Sequence, residues 1–105
     1  FWEGCPIDYS ISHMQKMYNQ AVGVSQGKKV IITETGWPNL GGCEGGADSS
    51  DENAMKYFIS TQEWSSKDNI EIFYFSSFDE SWKVGAEGDV GAYWGLWDKN
   101  EKLKF

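Results

Sequence analysis

Apolar positions along the chain follow two spacings. Ile7, Ile11, Met14, Tyr18 and Ala21 recur at helical intervals, which predicts one amphipathic helix over about residues 10–25. Asp8, or Ser12 with Gln15, is its candidate N-terminal cap, and Gly27 stands where a C-cap glycine belongs. Met14 and Met17 read as core filler. Ala54, Met55, Phe58 and Ile59 predict the buried face of a second helix. It opens at Ser49-Ser50-Asp51-Glu52, where Ser49 and Glu52 have capping-box spacing, and it ends near Ser65-Ser66. The other spacing is continuous. Val30 to Thr33 is a short apolar, β-branched block, the pattern of a strand buried on both faces of a parallel sheet, and Ile70 to Phe75 reads as the next strand. Phe1-Trp2 reads as the end of an earlier strand. The order strand end, helix, strand, helix, strand is that of successive β/α units, and the fold class is α/β.

The run Lys28-Lys29-Val30-Ile31-Ile32-Thr33-Glu34-Thr35-Gly36-Trp37-Pro38 is the most informative stretch. Gly36 and Pro38 stop the strand, so Glu34 stands at its carboxyl end, where α/β folds place their chemistry. Alternation puts Val30, Ile32 and Glu34 on one face. A carboxylate ending an apolar row is costly without a partner or a task. Capping the next helix or pairing with a lysine is as good a reading of these residues as catalysis. Trp37 reads as an exposed tryptophan.

Composition narrows the function. The net charge is −7 and the nine basic residues are scattered, which argues against a nucleic-acid or anionic-membrane surface. No apolar run approaches membrane-spanning length. Six tryptophans, five tyrosines and six phenylalanines stand largely beside Gly, Pro, Asp and Ser, and flat aromatic faces in loops suit sugar rings. Cys5 and Cys43 lack metal-ligand spacing, so no metal is expected. A disulfide and two free buried thiols are equal alternatives. The glycine-rich run from Asn39 to Asp48 lacks the Lys-Ser/Thr ending of a phosphate loop and reads as a flexible loop beside a cleft. No nucleotide or other cofactor is expected. His13 lies off the apolar stripe and reads as solvent-facing.

Two motifs carry a resemblance. Thr33-Glu34-Thr35-Gly36-Trp37-Pro38 resembles the nucleophile motif of glycoside hydrolase family 17, the β-1,3-glucanases and their transglycosylating relatives. Phe75-Ser76-Ser77-Phe78-Asp79-Glu80-Ser81-Trp82-Lys83, followed by Tyr93-Trp94-Gly95-Leu96-Trp97, resembles the end of the same domain in fungal members. The resemblance runs the length of the chain, 1–105, but covers only the last part of the family's domain. It implies the C-terminal portion of a (β/α)8 TIM barrel, from the end of strand 6 through strand 8. Such a piece is incomplete as an isolated chain, since a whole barrel needs about 250 residues. The chain begins at Phe1 without methionine or leader, and this is expected not to be a natural start.

The resemblance also implies roles. Glu34 would be the catalytic nucleophile. Trp2, Trp37, Phe78, Glu80, Lys83 and Glu87 would bind substrate, with Asp89 the alternative to Glu87. From the residues alone Trp2 serves equally as a packed aromatic, Glu3 as a substrate ligand or a solvated acid, and Glu80 with Lys83 as a surface ion pair. Adjacent Asp79 and Glu80 point to opposite sides of an extended chain, and the resemblance favours Glu80 at the site. Retaining glycosidases pair the nucleophile with a carboxylic acid about 5 Å away. The family places that acid on strand 4, which this chain lacks. The only Asn-Glu pair, Asn100-Glu101, lies in a terminal turn before a short tail, Lys102 to Phe105. Three functions follow: part of a β-1,3-glucan hydrolase, part of a β-1,3-glucanosyltransferase, or a non-catalytic glucan-binding fragment using Trp2, Trp37 and Trp82. The expected partners are β-1,3-glucan oligo- or polysaccharide and the missing N-terminal barrel segment. The expected place is secreted or in the cell wall.

Overall fold

A computed structural model describes residues 1–105. Helix α1 spans Ile7–Val24, and it starts earlier than the stripe implied because Pro6 holds an extended ψ of 147° immediately before it. No side chain caps it. Asp8 instead sits in the first turn, where a carboxylate favours the helix dipole, and accepts from Lys56 Nζ at 2.5 Å. Ser25 forms the C-cap, and Gln26 and Gly27 then take left-handed backbone with φ of 56° and 78°. Ile7, Ile11, Met14 and Tyr18 are half-buried, whereas Ala21 and Met17 are exposed. Met17 is therefore not core filler.

Strand β1, Ile32–Thr35, begins two residues later than Val30. Its parallel partner is β4, Ile72–Tyr74, with Ile32 opposite Ile72 and Thr35 opposite Tyr74. Neither is buried on both faces: Ile31, Thr33, Glu34 and Phe73 are exposed. The sheet has only these two strands, so each has one unpaired edge and little to cover it. Between them the glycine-rich stretch is ordered as a hairpin, β2 (Cys43–Glu44) and β3 (Ala47–Asp48), rather than a loose loop. Gly46 N–H donates to Gly4 O at 3.0 Å and pins the hairpin to the N-terminal segment. Cys5 and Cys43 are free thiols, and Cys43 is exposed.

Helix α2, Asp51–Asp68, is capped by Ser50, whose hydroxyl accepts from Asn53 N–H at 3.0 Å. Ser49 accepts from Gly42 N–H instead. The buried face is Ala54, Tyr57, Thr61 and Trp64, while Met55 and Ile59 face outward. The aliphatic side chains suggested the wrong arc. The helix turns its large amphipathic aromatics toward α1, with Tyr18 packed edge-on against Trp64 at 5.6 Å. Asn69, in left-handed backbone, ends the helix beyond Ser65-Ser66.

The core is Trp37, Ala47, Ala54 and Tyr57, flanked by Phe1, Ile7, Ile11, Met14 and Tyr74. After β4 come two 3-10 turns, Ser81–Lys83 and Asp89–Ala92. Residues 93–97 then return alongside 76–79: Ser76 N–H donates to Trp94 O, Leu96 N–H to Ser76 O and Asp79 N–H to Trp97 O, all at 2.9–3.0 Å. No helix is long and apolar enough to cross a membrane.

Candidate active site

A cavity of about 1070 Å³ runs along α1 and β1, from Ala21 and Val30 at one end to Glu34, Phe75 and Lys83 at the carboxyl end of β1. Glu34 reaches it from the end of β1, with Thr35 and Gly36 beside it. Among the residues expected at a site, the cavity gathers Trp2, Glu34, Lys83 and Glu87. Glu34 is exposed and has no ion-pair partner, so it neither caps a helix nor pairs with a lysine.

Lys83 is the cation of this cavity. Its Nζ lies 2.5 Å from Glu80 Oε2 and 4.8 Å from the centre of the Phe75 ring. The hydrogen bond to Glu80 holds its ammonium above the ordinary lysine range, and the charges of Glu80, Glu87 and Glu34 add to this. Glu80 itself does not line the cavity and is linked to it by the pair with Lys83. Trp2 is 53% exposed and lies tilted against Trp94 with ring centres 5.6 Å apart, an open aromatic face on the cavity wall.

Three aromatics stand elsewhere. Trp37 is only 2% exposed, and its indole N–H donates to Asp48 O at 2.8 Å. It is a core residue packed on Tyr57 and Phe1, not an exposed platform, and any further chain can only cover it more. The reason is the turn at Gly36, which folds the ring back onto the hairpin and α2. Phe78 is exposed but packs against Trp97 away from the cavity wall, and Trp82 projects into solvent. Glu3 hydrogen-bonds His13 at 2.6 Å, and both border the cavity. His13 is thus partnered and half-buried, not simply solvent-facing. Asp79 turns away from Glu80 into a buried pair with Lys104.

Two supports escaped the sequence reading. Tyr57 Oη and Thr35 Oγ1 are 2.6 Å apart, with Met14 Sδ against both at 3.4–3.5 Å, at the residue next to Glu34 in β1. Tyr57 at the third position after Ala54 was the available signal, since a helix places both on one face. Lys104, in a polar tail, gave none. Burial pushes the Tyr57 phenol above its usual 10.0, and the hydrogen bond with Thr35 pulls the other way. A raised phenol contributes stability below the unfolded value and loses it as pH climbs through the folded one. Tyr57→Phe is therefore expected to cost about 1 kcal/mol near neutrality. That deficit should shrink above about pH 10, where only the native side chain can ionise on unfolding. Urea midpoints at the two pH values check this, and a constant deficit would contradict it.

The BtgE/BtgC glycoside hydrolase domain family matches residues 1–95. The glucan 1,3-beta-glucosidase of Arthroderma benhamiae is 31% identical over 125 residues, covering 100% of this chain and 38% of that protein. The probable glucan endo-1,3-beta-glucosidase btgC of Aspergillus fumigatus is 31% identical over 122 residues, covering 99% of this chain and 18% of its own length. An active-site mutant of Rhizomucor miehei beta-1,3-glucanosyltransferase, in complex with laminaritriose, superposes with a TM-score of 0.91 at 36% identity. That match takes in 99% of this chain and 38% of the transferase, so the chain spans less than half the length of these relatives. With the motif around Glu34, the β/α architecture and the matched 1–95 in agreement, the chain belongs to the BtgE/BtgC glycoside hydrolase domain family.

Proposed function

We propose that this chain is the nucleophile-bearing part of a retaining enzyme acting on β-1,3-glucan. In this reading it supplies the end of strand 6 through strand 8 of a (β/α)8 barrel, and the acid/base carboxyl comes from outside residues 1–105. The observation that carries the reading is Glu34: an exposed carboxylate at the carboxyl end of a parallel strand, on a cavity shared with Lys83, Glu87 and the open face of Trp2.

A Glu34 carboxylate oxygen attacks the anomeric carbon as the glycosidic C–O bond breaks, and the departing oxygen takes its proton from the acid/base. This leaves a glycosyl ester on Glu34. Water releases it as hydrolysis, and a sugar hydroxyl releases it as transfer. Lys83 stays protonated beside Glu80 and Glu87, a positive charge set among the carboxylates crowded there. Trp2 offers its face to a sugar ring, and Glu87 accepts from sugar hydroxyls. Transfer is the second reading, favoured by the likeness to a beta-1,3-glucanosyltransferase over nearly the whole chain. Both readings place the work outside the cell or in its wall, where a glucan polymer is met.

The test is mass-spectrometric labelling with a 2-deoxy-2-fluoro laminaribiosyl reagent. It is run on this chain and on one extended at its N-terminus through the earlier β/α units. Label on Glu34 in the extended chain alone is expected. A folded extended chain that takes up no label would overturn the glycosidase reading in favour of glucan binding.

A further inference from the structure

Residues 96–105 lie beyond the family match of 1–95, yet they touch the loops on which site residues stand. Asp98 turns the chain, its Oδ1 accepting from the backbone N–H groups of Asn100 at 2.8 Å and Lys102 at 3.0 Å. Leu103 then pairs with Trp97, and Lys104 N–H donates to Leu96 O at 3.0 Å. This return carries the Lys104 side chain to a place where it is 8% exposed. There its ammonium donates to Asp79 Oδ1 and Asn39 Oδ1, each at 2.6 Å. Tyr93 O stands 3.5 Å away as a third acceptor.

The two near acceptors belong to the two loops that carry the proposed chemistry. Asn39 follows Gly36-Trp37-Pro38, the turn that ends β1 after Glu34, and its Nδ2 donates to Asp51 at the start of α2. Asp79 immediately precedes Glu80 and the turn of Ser81–Lys83, and its Oδ1 also accepts from Gly95 N–H. A lysine ammonium has three donors, and here all three point at these loops and the adjoining carbonyl. A buried ion pair adds little stability over well-packed apolar groups, so its value lies in the geometry it specifies. We infer that Lys104 is a positioning residue that fixes the turn following Glu34 and β1 against the turn bearing the Glu80–Lys83 pair. The inference rests on the reading of Glu34 as nucleophile.

The test compares Lys104→Met, Lys104→Arg and Asn39→Ala. In the extended chain, Lys104→Met is expected to lower kcat on laminari-oligosaccharides about 100-fold with KM nearly unchanged, the signature of a displaced reacting group. Lys104→Arg should recover part of the loss. In the 105-residue chain, hydrogen exchange should quicken at Gly36, Trp37 and Asn39 and at Ser81 to Lys83, while the interiors of α1 and α2 hold. Asn39→Ala keeps the Asp79 pair and should loosen residues 36–39 selectively, so it decides the matter if Lys104→Met fails to fold. An unchanged kcat, or exchange that rises evenly along the chain, would overturn the inference. An unmutated extended chain with no turnover would sink the glucanase reading, and the exchange pattern would then decide the link between the loops.

Discussion

Replacing Glu34 by Gln in the extended chain should abolish turnover of β-1,3-glucan while leaving the fold intact. The amide keeps the shape of the side chain but is a very poor nucleophile toward an anomeric carbon. A reaction that depends on a covalent intermediate loses its first step, and removal of a nucleophile typically costs about a million-fold in kcat. Stability should hardly change. Glu34 is exposed, carries no ion pair and donates to or accepts from no other side chain, so the substitution belongs with surface changes worth about ±0.5 kcal/mol. The pairing of the two measurements is what discriminates. Lost turnover with an unchanged urea midpoint supports the assignment. Turnover that survives removes Glu34 from the mechanism, and lost turnover with a lowered midpoint reassigns it to structure.

Gly36→Ala should do the opposite and damage the fold itself. A Cβ at this position would stand 1.9 Å from Phe75 O and 3.3 Å from Trp94 Cε3. The carbonyl cannot easily retreat, because Phe75 N–H is held to Thr35 O at 2.8 Å. The glycine is thus required by close approach of two backbones, where β1 and β4 end together. A backbone clash of this kind exceeds ordinary overpacking, and the expected loss is roughly 4 kcal/mol or more. Native stabilities are about 5–15 kcal/mol in total, so much of the population should unfold. Gly23→Ala in α1 is the control, since nothing lies within 4 Å of its added methyl and helix propensity favours it. Circular dichroism and urea melts of the two variants should move in opposite directions. A Gly36→Ala midpoint equal to the parent's would mean that the ends of β1 and β4 do not meet in this way.

Much of this architecture was legible because it follows from local pattern. Both helices, both main strands and the exit of Glu34 from a strand end come from apolar spacing and from Gly36 and Pro38. What pattern could not show was partnership. Met55 and Ile59 look buried by hydrophobicity, but the arc facing α1 is chosen by Tyr57, Thr61 and Trp64. Trp37 looks open because its neighbours are Gly and Pro, yet the turn they make folds it inward. Val30 to Thr33 has the composition of a fully covered strand, and two strands alone cannot cover it. Lys104 is unremarkable in sequence because its partners lie far away along the chain.

That separation has an entropic consequence. Lys104 meets Asn39 across 65 positions, whereas Tyr57 meets Thr35 across 22. Closing the longer loop costs about 1 kcal/mol more in chain entropy. The two loops that hold the charged groups are tied to each other by Lys104 only when the final segment docks. On mild heating, lifting of the last residues alone should be enough to free one loop from the other.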